Sequence, residues 1–149
     1  MPTSLPLTVQ PSASFVPPGI PWGEFQETVD MSAAAAAAFA LRNTIPKGAS
    51  VISVALSVPT AINATTAVKI GVGRSTATAN PSKYLLTADL TATELATLSF
   101  SNAQITDAGG ESLAIYACAT GGTAAGTIGG GAGQYVEVRI TYLLPLTIK

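Results

Sequence analysis

Apolar and polar residues alternate with a period of two along much of this chain, the mark of strands that bury one face. Between positions 51 and 58, Ile52, Val54, Leu56 and Val58 share one side, and Val51, Ser53, Ala55 and Ser57 share the other. Val68, Ile70 and Val72 oppose Lys69, Gly71 and Gly73, and Leu113 and Ile115 oppose Tyr116 and Cys118. Near the C-terminus, Val136, Val138, Ile140, Tyr142 and Leu144 alternate with Tyr135, Glu137, Arg139 and Thr141. Phe25, Glu27 and Val29 alternate in the same way with Gln26, Thr28 and Asp30. Turn signals punctuate these runs: Ile45-Pro46-Lys47-Gly48, Ala79-Asn80-Pro81-Ser82, Asp107-Ala108-Gly109-Gly110, and a glycine-rich stretch over 121–134. Several short strands between turns predict an all-β domain, a β-sandwich or jelly roll. Residues 90–100 open like a capped helical turn, with Thr91 and Thr93 near Glu94, and close like a strand; they are read as a short helix or turn.

The alanine run Ala33–Ala38 tests this plan. Alanine is the best helix former, and a helix from an Asp30 or Ser32 cap to Leu41 is conceivable. About ten residues without a broad apolar face would be marginal as a helix, however. The flanks, Phe25 to Val29 and Phe39 to Leu41, keep strand spacing. The pattern therefore predicts strand, bend, strand, with alanines where another backbone comes close.

The N-terminal stretch is different. Pro2, Pro6, Pro11, Pro17, Pro18 and Pro21 exclude a helix or a central strand. Residues 1–23 are read as an extended, proline-rich N-terminal arm, followed by a β-sandwich domain over 24–149. At about 3 Å per residue such an arm reaches roughly 60 Å. It is almost uncharged and carries Leu5, Leu7, Val9, Phe15, Val16, Ile20 and Trp22, unlike the charged, apolar-poor composition of disordered tails. These seven residues are the expected contacts to a neighbouring subunit or capsid surface, with Phe15 and Trp22 as the strongest anchors.

Composition narrows the function. Of 149 residues only 10% are charged and the net charge is −1, against about 25% charged in an ordinary soluble domain. A neutral surface of this kind does not capture nucleic acid and suits a protein packed in an assembly. Histidine is absent, which removes the commonest general base and zinc ligand. The single cysteine, Cys118, lies in an apolar strand and reads as a small buried hydrophobe. Asp107 and Glu111 flank a Gly-Gly turn and read as solvated turn residues. No loop has the acid density of a calcium site. Gly71-Val72-Gly73-Arg74 lacks the third glycine and the helix of a dinucleotide site, and the loop over 121–133 lacks the Gly-Lys-Ser/Thr ending of a phosphate loop. Glu137 and Arg139, two residues apart on one strand face, are read as pairing with each other or with a neighbouring chain. The expectation is a protein without catalytic residues, cofactor or metal. The N-terminus shows no signal-peptide pattern and no apolar run is long enough to span a bilayer, so no membrane partner is expected.

The stretches TVDMSAAAAAAFALRNTIPKGASVISVALSVPTAIN (28–63), VKIGVGRSTATANPSKYLLTADLT (68–91) and QYVEVRITYLL (134–144) together resemble small virion proteins of tailed phages. These are the capsid cement, or decoration, proteins and related trimeric β-domains of fibres. The resemblance implies a jelly-roll homotrimer that is made in the host cytoplasm, binds the major capsid protein on the capsid exterior and stabilises the head against internal pressure. It also implies a terminal arm that laces neighbours together. The alternative it leaves open is a fibre or head-fibre domain that recognises a host receptor or glycan. Sugar stacking would need aromatics in loops. Residues 59–67 and 120–133 contain none, and Tyr84 after the Asn-Pro turn is the exception.

Overall fold

The structure, a computed structural model, describes residues 21–64, 69–75, 80–88, 93–98, 105–106 and 108–145. Leu5, Leu7, Val9, Phe15, Val16 and Ile20 lie outside the described residues.

Among the described residues ten strands follow one another: β1 (Trp22–Asp30), β2 (Ala35–Ala36), β3 (Ala38–Ile45), β4 (Ser50–Val58), β5 (Lys69–Arg74), β6 (Leu85–Leu86), β7 (Glu94–Leu98), β8 (Glu111–Cys118), β9 (Ile128–Gly129) and β10 (Tyr135–Leu143). Among the described residues there is no helix. Two four-stranded antiparallel sheets have the orders β1-β10-β4-β7 and β3-β8-β5-β6, and β2 and β9 form a two-residue ribbon. With that ribbon set aside, the first strand pairs with the last (β1 with β10) and the second with the next to last (β3 with β8). Further in, β4 pairs with β7 and β5 with β6. The chain is thus one long hairpin rolled up until β10 also meets β4 and β8 meets β5, which is the pairing of a jelly-roll sandwich.

The alternation places the core where the sequence puts it. Val54, Leu56, Val136, Val138 and Ile140 project inward from one sheet, and Ile70, Val72, Leu113 and Ile115 from the other; all nine are fully buried. Each contributes about 1.5–3 kcal/mol by leaving water. The strand at 51–58 departs from a strict period of two. Thr141 pairs with Ser53 but Tyr142 with Val51, so Ile52 is the extra residue of a β-bulge. The bulge reverses the faces upstream of it: Val51 is buried and Ile52 only half-buried. Residues 94–98 are a strand and not the helix or turn predicted there. The open edge of β4 offers backbone partners from Val54 to Val58, and these outweigh a weak local capping signal.

The alanine run is extended and bent, as predicted. Asp30 ends β1 with an Asx turn: the Ser32 N–H donates to Asp30 Oδ1 at 2.8 Å and the Ser32 hydroxyl donates to the same oxygen. These bonds hold the Asp30 carboxyl below its ordinary range. Ala35 and Ala36 then pair with Gly129 and Ile128, the chain bends at Ala37, and β3 starts at Ala38 on β8. Bulk is excluded here. A side chain on Gly129, whose φ is +89°, would lie 2.6 Å from the Met31 carbonyl oxygen, and one on Gly130 would lie 3.0 Å from the Ala35 nitrogen. The corner carries the chain from one sheet to the other. The edge it creates is closed by Glu27 of β1. The register of β3 slips between Ala40 and Thr44, and the Glu27 carboxylate accepts from the Arg42 N–H at 2.7 Å, the Asn43 N–H at 3.2 Å and the Asn43 side-chain amide at 3.0 Å.

Candidate functional site

The two sheets present very different outer faces. On the β3-β8-β5-β6 sheet, Ala114, Tyr116 and Cys118 point away from the core yet are buried, with Leu86 packed against them. The chain's own loops cover them. The Asn80–Ser82 segment crosses the two glycines of β5, so closely that a Cβ on Gly71 would stand 2.5 Å from the Pro81 carbonyl oxygen and 2.6 Å from Cys118 Sγ. The Ser82 hydroxyl donates to the Gly122 carbonyl at 2.9 Å, tying this loop to the one after β8. Tyr116 donates from its hydroxyl to the Arg74 carbonyl. Burial pushes the Cys118 thiol up to about 11 and raises Tyr116 as well. Cys118 is the small buried hydrophobe that its strand context implies.

The outer face of the β1-β10-β4-β7 sheet carries no such cover among the described residues. Cross-strand rows run Thr28, Glu137, Ser57; then Gln26, Arg139, Ala55; then Glu24, Thr141, Ser53. Every one of these is exposed or half-buried. Gln26, Ala55, Ser57, Glu137 and Arg139 line an open depression of about 150 Å³ over the small residues of β4. Trp22, named from sequence as an arm contact, is the first residue of β1 and pairs with Leu143. It sits half-buried on this same face, and its enclosed indole N–H has no hydrogen-bond partner among the described residues. The regular sheet thus starts at Trp22, inside the segment that composition assigns to the arm.

One charged cluster is interior, and sequence reasoning missed it. Glu111 is buried, not a solvated turn residue. It opens β8 on the same side as Leu113 and Ile115, the side that faces the core. Arg74 Nε lies 2.7 Å and Lys83 Nζ 3.1 Å from Glu111 Oε1, and the Tyr84 hydroxyl donates to Glu111 Oε2. Lys83 also stands 4.9 Å over the Tyr84 ring. Burial first, and then the Glu111 carboxylate, push the Tyr84 phenol far above its ordinary range. Tyr84 is fully buried, so it offers no platform for a sugar. The only early signal for this cluster was the alternation of β8 continued back one step to position 111. With both carboxylate oxygens engaged by cations and a phenol, the cluster is built to tie β5, β8 and the loop before β6 together. Among the described residues no group of three or more acids and cysteines is placed to hold a metal ion.

A β-sandwich with one face covered by its own loops and the other uncovered among the described residues is thus the class of protein defined here. Among solved structures, the chain is similar to one chain of the cyanophage Pam1 capsid asymmetric unit, with a TM-score of 0.52 and 21% sequence identity over 95% of this chain and 100% of that one. The likeness is one of fold and runs nearly end to end. No family model matches the chain, and no curated protein matches it.

Proposed function

We propose that this protein is a structural component of a phage virion: a capsid cement, or decoration, protein that binds the outer surface of the head as a homotrimer and stabilises it. The observation that carries the reading is the end-to-end fold likeness to a chain of a phage capsid asymmetric unit. The surface agrees with it. Only 10% of residues are charged, and a surface with so few charges buries against a neighbour at a lower desolvation cost than an ordinary one. At about 25 cal/mol per Å², a few hundred Å² of apolar contact per copy offsets part of the association cost. A ring of three copies multiplies each contact through effective concentration. The partner is the major capsid protein. The arm that precedes β1 would add contacts through Leu5, Leu7, Val9, Phe15, Val16 and Ile20, with Trp22 at its junction with the sheet. The proposed role is mechanical, and the interior carboxylate, held by two cations and a phenol, serves the fold. A receptor- or glycan-binding fibre domain has less support, because Tyr84 is buried.

The test is to prepare heads of the parent phage lacking this protein, add it back, and measure bound copies and the temperature at which heads release DNA. The expected result is saturable binding to the outside of the shell and a higher release temperature. Heads that bind none of it, or that are equally stable with and without it, would sink the proposal.

A further inference from the structure

Glu137 and Arg139 stand side by side on the open face of β10, about 7 Å apart along the strand, and neither has an ion-pair partner among the described residues. Other charges on that face are engaged: the Thr141 hydroxyl donates to Glu24 Oε2 at 3.2 Å, and Asp30 accepts from Ser32. Beside the two charges β4 presents the small Ala55 and Ser57, and with Gln26 of β1 they border the depression of about 150 Å³.

We propose that this face is the surface through which copies of the chain associate, with Glu137 of one copy paired to Arg139 of the next. The inference rests on the homo-oligomer reading above and adds which face is used. Its occupant follows from charge. A polyanionic or polycationic partner would meet one matching and one opposing charge here, whereas further copies of the chain offer a base to Glu137 and an acid to Arg139. In a closed ring each interface takes the acid of one protomer and the base of its neighbour, so every charge is satisfied once. The small side chains of β4 let the facing surface approach without displacing bulk. The opposite sheet is unsuited to this role, because its own loops cover it.

Sedimentation velocity on the full chain and on E137R, R139E and the exchanged double variant E137R/R139E tests the pairing, with circular dichroism to show that each folds. Both residues are outward-facing, so folding is expected to persist. Each single reversal sets like charges against each other across the interface and is expected to weaken association by about tenfold or more. The exchanged double variant is expected to recover the parent's oligomer. A parent chain that stays monomeric at high micromolar concentration would overturn the oligomer reading, and this inference with it. An oligomeric parent whose single reversals associate unchanged would overturn the face assignment alone. Dissociation by both single reversals without recovery in the double variant would overturn the pairing of these two residues.

Discussion

The guanidinium of Arg74, at the end of β5, stands 2.7 Å from the carboxylate of Glu111, the first residue of β8. With Lys83 on the same oxygen and Tyr84 on the other, the contact joins two strands of one sheet to the loop that crosses over it. Removing one partner from a buried ion pair costs more than the pair is worth, because the other charge is stranded. Arg74 and Lys83 keep 32% and 29% of their side-chain surface exposed, so water relieves part of that penalty. Glu111→Ala is expected to lower stability by about 2–3 kcal/mol, read as a reduced urea midpoint. Glu111→Gln, which keeps an acceptor for Tyr84, should lose less. An unchanged midpoint for the alanine variant would mean that the cluster does not hold the fold together.

Tyr84 makes the fold sensitive to alkali. Burial and the neighbouring carboxylate raise its phenol above the ordinary value of 10.0. A group raised in the folded state contributes stability that is intact below its unfolded pKa and fades as pH climbs above it. Stability is therefore expected to be flat near neutrality as far as Tyr84 is concerned and to fall above about pH 10. In Tyr84→Phe the fall should be shallower, with a loss at neutral pH of about 1–2 kcal/mol for the missing hydrogen bond. Urea midpoints measured from pH 8 to 11 check both; parallel curves for the two proteins would contradict the assignment.

The strands were legible because each depends on its own alternation: β4, β5, β8 and β10 fall within a residue of their patterns, and β1 starts three residues before its own. The alanine run was legible through its flanks, Val29 and Phe39, more than through its own propensity. Three features were not. Ile52 left its face because of a bulge opposite Thr141 and Tyr142, and nothing local to β4 encodes it. Residues 94–98 became a strand because β4 offered an edge, a contact between segments about forty positions apart in sequence. Glu111 was misread because a charged residue beside Gly109 and Gly110 ordinarily faces water. Its burial depends on Arg74, Lys83 and Tyr84 converging from another part of the chain. The open sheet face was legible only in part: the alternation placed Glu137 and Arg139 outward, but which sheet face the loops would cover is a property of the rolled topology.

Gly71 tests the covered face. A methyl group there would meet the Pro81 carbonyl and the Cys118 sulfur at 2.5 and 2.6 Å, well inside contact distance. The backbone of the crossing loop must shift to admit it. Gly71→Ala is expected to destabilise the protein by about 1–3 kcal/mol, the usual range for an overpacked site. Gly121→Ala, where a Cβ would meet nothing within 4 Å, should be close to neutral. Thermal unfolding of the two variants side by side makes the comparison, and equal melting temperatures would show that the loop does not press on β5.

Cys118 reports on the same cover. Its side chain is fully buried and its thiol is pushed up to about 11, so the thiolate that reacts is scarce at neutral pH and shielded when present. In the native protein at pH 8 it should react with a maleimide or an aromatic disulfide far more slowly than a free thiol does. The rate should rise with urea along the same curve as the loss of β-structure. Fast labelling under native conditions would show that the loops at Asn80–Ser82 and after β8 open readily.

The arm poses the last prediction, and β1 fixes where it should be cut. Trp22 pairs with Leu143, and the Pro21 carbonyl accepts from the Leu144 N–H at 2.8 Å. Both residues therefore belong to the sheet, and a cut after residue 22 would damage β1 as well as remove the arm. Removing residues 1–20 spares those contacts. The truncated protein is expected to keep its circular dichroism and to unfold at close to the urea midpoint of the full chain. Binding to heads that lack the protein should weaken by tenfold or more, since each arm would otherwise act as a second tethered contact. Phe15→Ala in the full chain should reproduce part of that loss, as an aromatic anchor does. Equal occupancy of heads by the full and truncated chains, with both folded, would remove the arm from the binding mechanism.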